Sequence, residues 1–284
     1  MKSYTPTRKT LLIGAQTPKG DHLPGVPADM ERMKEFFVSP NGGSWNDNEI
    51  TTSYNEPRTK VLSRIAASVA DYTIIHCATH GYTNKHGELM ICLADGDIPA
   101  AALLNNSPRQ LIIPDTCRKR ERGATIGGIL WPEEEWLYAT GYSFARELYD
   151  QYINDSAFGK IMIYATDDDN YAYESRHRNG GEFTLSLLDS VFAYQQSGQQ
   201  GPLFINDVAG YATSLLHRRN VKQTPSVVYQ EGHFNAPFAI VSPTFLPIER
   251  EKKAVVKPKK TSEVEGLLFC AGVLVTAYAL SKIL

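Results

Sequence analysis

The chain has 284 residues, a formal net charge of −2 and 42% hydrophobic residues, so it can bury a full core and is not of disordered composition. The near-neutral balance carries no global electrostatic signature for nucleic acid, which is not expected as a partner. Four cysteines, Cys77, Cys92, Cys117 and Cys270, follow an N-terminus without a signal-like apolar region, so the thiols are expected to stay reduced and chemically available.

Thr10 to Ile13 reads as a short buried strand, followed by a Gly/Pro-rich loop and an amphipathic helix from Ala28 to Val38 with Met30, Met33, Phe36 and Phe37 at helical spacing. Ile50 to Tyr54 is a second strand. Pro57 opens a helix through Val69 that turns Val61, Leu62, Ile65 and Val69 inward. Tyr72 to Cys77 is a third strand, broken by Ala78-Thr79-His80-Gly81. Leu89 to Leu93 with the Asp95-Gly96-Asp97 turn predicts a small hairpin, and Pro99 starts a helix closing near Leu104. Gln110 to Pro114 is the next strand, broken by Asp115-Thr116-Cys117-Arg118. The irregular, charged stretch from Arg118 to Leu137 is expected to be a functional, mobile segment, because loops of that length are otherwise uncommon in compact domains. Helices follow at Phe144 to Ile153, Thr184 to Ala193 and Ile205 to Arg218, with strands at Lys160 to Ala165, Val227 to Tyr229 and Phe238 to Val241. This alternation predicts an α/β fold with a mainly parallel sheet of six strands.

In an open parallel sheet the carboxyl ends of neighbouring strands share one crevice. His80 and Cys117 end two successive strands, so they are expected to meet there as a base and a thiol nucleophile. Gly81 would let backbone approach a substrate and offer its N–H to an oxyanion. Arg118, Lys119 and Arg120 would favour the thiolate by their positive charge. No metal is expected. His86-Gly87-Glu88 lacks the paired cysteines of a zinc deaminase, and strand alternation points His76 and Cys77 to opposite faces.

From Thr10 to Val241 the chain resembles the caspase and metacaspase superfamily of cysteine peptidases, on matches that occur in family order. They are LLIGA, LPGVPADMERMKEFF from Leu23, NEPRTKVLSRI from Asn55, ATHG, LMICLADGDIPAAALL, DTCR, and GGEFTLSLLDSV from Gly180. The resemblance implies a caspase-like three-layer sandwich, with helices on both faces of the six-stranded sheet. It implies a dyad of His80 as general base and Cys117 as nucleophile, acting on protein or peptide substrates in regulated proteolysis, cell death or stress signalling. The flanks depart from the family: Ala78-Thr79 replace the usual serine and glycine before the histidine, and Arg118-Lys119 replace the residues that usually follow the cysteine. In metacaspases an aspartate two residues before the cysteine pairs with a basic P1 side chain, and Asp115 holds that place, so cleavage after Arg or Lys is expected. The alternative is a catalytically silent caspase-like scaffold that recruits partners at a membrane.

Asp167, Asp168 and Asp169 follow a strand and read either as a solvated acidic loop or as a site that deepens the P1 pocket, through Asp168, or binds Ca²⁺; no other cofactor is expected. Arg118, Arg120 and Arg122 lie in RKRER, which reads as a self-cleavage site for an Arg-directed enzyme or as a solvated charge run. Three regions are expected: a peptidase domain over 1–245, a basic linker over 246–265 and an uncharged apolar run within 266–284. About 28 Å of helix at 1.5 Å per residue makes that run a C-terminal transmembrane anchor, with the basic linker and catalytic domain on the cytoplasmic side, or a helix docked on the domain or a partner. The sequence carries no signal for dimerisation.

Overall fold

The computed structural model describes residues 4–20, 22–119, 136–137, 143–175, 177–242 and 248–249. The chain divides after Glu249 into two units, and every described residue lies in the first. Its first half runs β1 (Arg8–Gly14), α1 (Val26–Val38), β2 (Ile50–Tyr54), α2 (Arg58–Ala67), β3 (Tyr72–Ala78), β4 (Gly81–Thr83), β5 (Leu89–Cys92), β6 (Asp97–Pro99) and β7 (Arg109–Asp115). The second half runs β8 (Trp136–Leu137), α3 (Ser143–Asp155), β9 (Gly159–Tyr164), β10 (Glu174–Ser175), β11 (Gly180–Gly181), α4 (Glu182–Gln196), β12 (Gly201–Phe204), α5 (Ile205–Arg218), β13 (Ser226–Gly232), β14 (Pro237–Val241) and β15 (Ile248–Glu249).

Six strands form one sheet in the order β13-β9-β7-β3-β1-β2, parallel except for β13, which runs antiparallel beside β9. β3 and β7 are buried along their whole length, as continuous apolar runs in a parallel sheet covered on both faces should be. Side-chain parity divides the core. Leu12, Ile74, Leu111, Ile113 and Ile161 face one cluster with Met33, Phe36, Tyr149, Phe183 and Val208 of the helices α1, α3, α4 and α5. Leu11, Ile13, Ile75, Cys77 and Ile112 face a second cluster with Val61 and Ile65 of α2 and the β5–β6 hairpin. The result is the expected three-layer α/β fold.

The local departures have simple causes. α2 ends at Ala67, so Val69 lies beyond the helix, and the sheet takes only the Val61 and Ile65 stripe; Leu62 and Val69 are exposed. The helix expected after Pro99 is a single 3₁₀ turn, Ala100–Leu103. β14 leaves the main sheet and pairs antiparallel with β12, a strand that Gly201 and Pro202 conceal from pattern reading. Among the described residues no helix is long and apolar enough to cross a membrane. The run expected as an anchor, residues 266–284, lies outside them, as do Arg120, Arg122 and residues 121–135 of the long segment before α3.

Candidate active site

β1, β3, β7 and β9 all end on one edge of the sheet, and the chain order reverses between β1 and β3, where α/β proteins open a crevice. A cleft lies there, lined by Leu23 and Val26 beyond β1, His80 beyond β3, Asp115 and Cys117 at the end of β7, and Ala172, Glu174 and Gly181 beyond β9. Ala78 is the register partner of Asp115, so His80 and Cys117 each stand two residues past one paired rung. Neighbouring strands run about 4.8 Å apart, which brings the imidazole and the thiol to the same mouth.

The loops that carry the two side chains are held by their neighbours. The Thr79 hydroxyl donates to Cys92 O at 2.5 Å, and Cys92 N–H donates to His80 O at 2.9 Å, fixing the end of β3 to the β4–β6 sheet. Thr79, where the family usually has glycine, thus ties the histidine loop down. The Cys92 N–H to His80 O bond makes Gly81 and Ile91 a non-hydrogen-bonded ladder pair, which leaves the Gly81 N–H outside the β4–β5 ladder. The fold itself requires glycine at 81. A Cβ there would meet Thr116 Cβ and Oγ1 at 2.7 Å and Cys117 O at 2.9 Å, so the close approach is to the cysteine loop itself.

The thiol is tied to the backbone of Ala172. Cys117 Sγ donates to Ala172 O at 3.5 Å and accepts from Ala172 N–H at 3.3 Å. Burial pushes its pKa up, the Ala172 N–H offsets this in part, and the Asp115 carboxylate adds to the rise. Arg118 and Lys119 do not supply the activating charge expected of them. Arg118 pairs with Asp168, stacks 4.1 Å over the Tyr164 ring and donates to Thr166 O and Ser226 Oγ at 3.3 Å each. Lys119 pairs with Asp169 at 3.5 Å. These ion pairs, with Arg118 N–H donating to Asn170 O at 2.9 Å, lay residues 166–173 over the cysteine.

Asp167, Asp168 and Asp169 form the solvated acidic loop that one of the two readings expects, each exposed and none deepening the cleft. Asp167 accepts from Thr166 and Asn170, Asp168 turns to Arg118 and Asp169 to Lys119, so the three carboxylates diverge and Asp168 is not among the residues lining the cleft. Among the described residues no group of three or more His, Cys, Asp or Glu is placed to hold a metal ion.

The acidity of the cleft comes from elsewhere. Asp115, 7% exposed, is joined by Asp29 of α1, 3% exposed, and by Glu174 of β10. Burial pushes the Asp115 carboxyl up to about 6, with Glu174 and Glu182 adding to the rise. Burial and the neighbouring Asp115 hold Asp29 well above the ordinary carboxylate range. The α4 N-terminus meets both carboxylates: Gly181 N–H donates to Asp29 Oδ2 at 2.8 Å and Thr184 N–H to Asp115 Oδ2 at 3.2 Å. A Cβ on Gly180 would strike Asp29 and one on Gly181 would strike Asp115, so the glycine pair admits the helix end. Asp29 Oδ1 is buried without a hydrogen-bond partner. Asp29 and Glu174 escaped sequence reasoning because nothing local marks them; they lie 86 and 59 positions from Asp115 in the chain.

A parallel α/β sheet with a cysteine and a histidine on adjacent strand ends, beside a buried acidic recess, has the build of a caspase-like cysteine peptidase. The model of the caspase domain matches residues 7–231, and the chain belongs to that family, which is one of cysteine peptidases acting on proteins. Among solved structures, a protein from Geobacter sulfurreducens is similar with a TM-score of 0.55 and 16% identity, over 84% of this chain and 100% of that one. Caspase-1 from Spodoptera frugiperda is similar with a TM-score of 0.53 and 12% identity, over 81% of this chain and 91% of its own. Likeness at these identities concerns the fold. The comparison with curated proteins finds no match.

Proposed function

We infer that the protein is a cysteine endopeptidase that cleaves after Arg or Lys, with Cys117 as nucleophile and His80 as acid and base. The observation that carries this reading is the cleft in which His80 and Cys117 stand beside three carboxylates, Asp29, Asp115 and Glu174, two of them almost wholly buried. Burying these carboxylates is unfavourable; Arg32 offsets part of that cost at Asp29, and a guanidinium or ammonium entering the recess stabilises the ionised form of Asp115. An aspartate side chain in the same recess would meet like charge.

The chemistry follows from the placement. His80 takes the Cys117 proton, and the sulfur attacks the scissile carbonyl carbon, forming a C–S bond while the carbonyl oxygen gains the negative charge. The Gly81 N–H is the backbone donor suited to that oxygen. The imidazolium then protonates the leaving amine as the C–N bond breaks, and water, deprotonated by His80, hydrolyses the thioester and returns the thiol. The step needs the sulfur free of Ala172 O, so release of the 166–173 segment precedes attack.

The same contacts favour a second reading, a catalytically silent scaffold whose half-buried thiol stays bonded to Ala172. A panel of peptides differing only at P1, with an Arg-directed thiol-reactive acyl probe, decides between them. Cleavage after Arg or Lys, and labelling lost in Cys117→Ala, is the expected result. Faster cleavage after Asp sinks the specificity, and no labelling under any condition favours the scaffold.

In the full chain we place the peptidase on the cytoplasmic side of a membrane, with the apolar run in residues 266–284 as a tail anchor and signalling proteolysis as its role. Extraction of the protein by alkaline carbonate would rule out the anchor.

A further inference from the structure

We propose that Thr184 and His76 are positioning residues for Asp115, forming a buried relay that orients its carboxylate to read the P1 cation. This deepens the function just inferred and rests on it. Asp115 Oδ2 accepts two hydrogen bonds from one residue, the Thr184 N–H at 3.2 Å and the Thr184 hydroxyl at 2.7 Å. The hydroxyl proton is thereby committed to the carboxylate. His76 Nε2 lies 3.0 Å from the same Oγ1, so the oxygen must accept and the ring must carry its proton on Nε2.

The rest of the His76 environment agrees with that tautomer. His76 is fully buried, its Nδ1 has no hydrogen-bond partner, and burial depresses its pKa to about 3, so it remains a neutral donor across the working range. A ring so buried cannot exchange protons with substrate. Its contribution is geometric: the chain Nε2–H to Oγ1–H to Oδ2 crosses from β3 to α4 to β7 and commits one carboxylate oxygen, leaving Oδ1 for the ligand. Strand alternation supports the assignment, since Cys77 packs in the opposite layer with Ile75 and Ile112. The groups facing Asp115 are Asp29 from α1, Glu174 from β10, Glu182 from α4 and Cys117 beyond its own strand. Thr184, also on α4, donates two hydrogen bonds to Asp115, from backbone and hydroxyl.

Thr184→Val keeps the shape and backbone N–H but removes the hydroxyl, whereas Thr184→Ser keeps it. In Thr184→Val the KM for an Arg-P1 peptide is expected to rise about tenfold or more, the worth of one hydrogen bond to a charged group, with kcat changed less than about twofold. Thr184→Ser should restore the KM. A second readout needs no turnover: the Asp115 carboxyl carbon, followed by NMR in Cys117→Ala protein and assigned with Asp115→Asn, should titrate higher in Thr184→Val and unchanged in Thr184→Ser. Imidazole nitrogen shifts should report His76 protonated on Nε2. An unchanged Asp115 titration in Thr184→Val, or a His76 proton on Nδ1, overturns the relay. If the wild-type protein cleaves no basic-P1 peptide, the inferred specificity fails, and the carboxyl titration still decides the relay.

Discussion

Replacing Asp115 by Asn should make the protein more stable and less active at once. Burial is the chief reason that the carboxyl, ordinarily near 3.8, is pushed up to about 6 in the folded chain. At 1.36 kcal/mol per pH unit, keeping it ionised in the fold costs about 3 kcal/mol at neutral pH. The sign follows from the raised folded pKa: the native state binds the proton more tightly, so stability is greatest below about pH 4 and is lost as pH rises through about 6. Asparagine keeps an oxygen for the two Thr184 bonds but carries no charge. Urea unfolding of Asp115→Asn should therefore match the wild type near pH 4 and exceed it by up to about 3 kcal/mol at pH 7.5, or roughly 6–12 °C in melting temperature for a domain of this size. The same variant should lose about a hundredfold in kcat/KM on Arg-P1 peptides, through one lost charge-assisted contact. A variant less stable than wild type at pH 7.5, or a difference that ignores pH, would show that ionised Asp115 carries no such cost in the fold.

For the wild-type protein, kcat/KM on basic-P1 peptides should rise with pH through about 6 as Asp115 ionises, and a profile flat from pH 5 to 8 would contradict the role proposed for it. Gly81→Ala puts a methyl into Thr116 and the Cys117 carbonyl; it should cost about 1–3 kcal/mol of stability and most of the activity, measured by unfolding and by probe labelling. Arg118→Ala removes the Asp168 pair and the Tyr164 stacking that hold residues 166–173 over the sulfur. Alkylation of Cys117 should then be severalfold faster at equal pH, and an unchanged rate would show that the segment does not guard the thiol.

What could be read directly from the chain was whatever depends on neighbours in sequence. The unbroken apolar runs of β3 and β7 announce buried parallel strands, and the breaks after them place His80 and Cys117 at one sheet edge, because strand ends in a parallel sheet share a side. The period of Met30, Met33, Phe36 and Phe37 likewise marks α1 before any contact is known. Partners set by topology stayed hidden. Asp29 meets Asp115 across 86 positions of chain, and His76 meets Thr184 across 108, since burial and hydrogen bonding belong to the packed layers. The orientation of Arg118 belongs with these: proximity in sequence places its charge beside the sulfur, and the fold turns it toward Asp168 and Tyr164. The local order of residues thus determined which chemical groups reach the crevice, while tertiary packing alone decided their protonation, their partners and the acidic recess beside them.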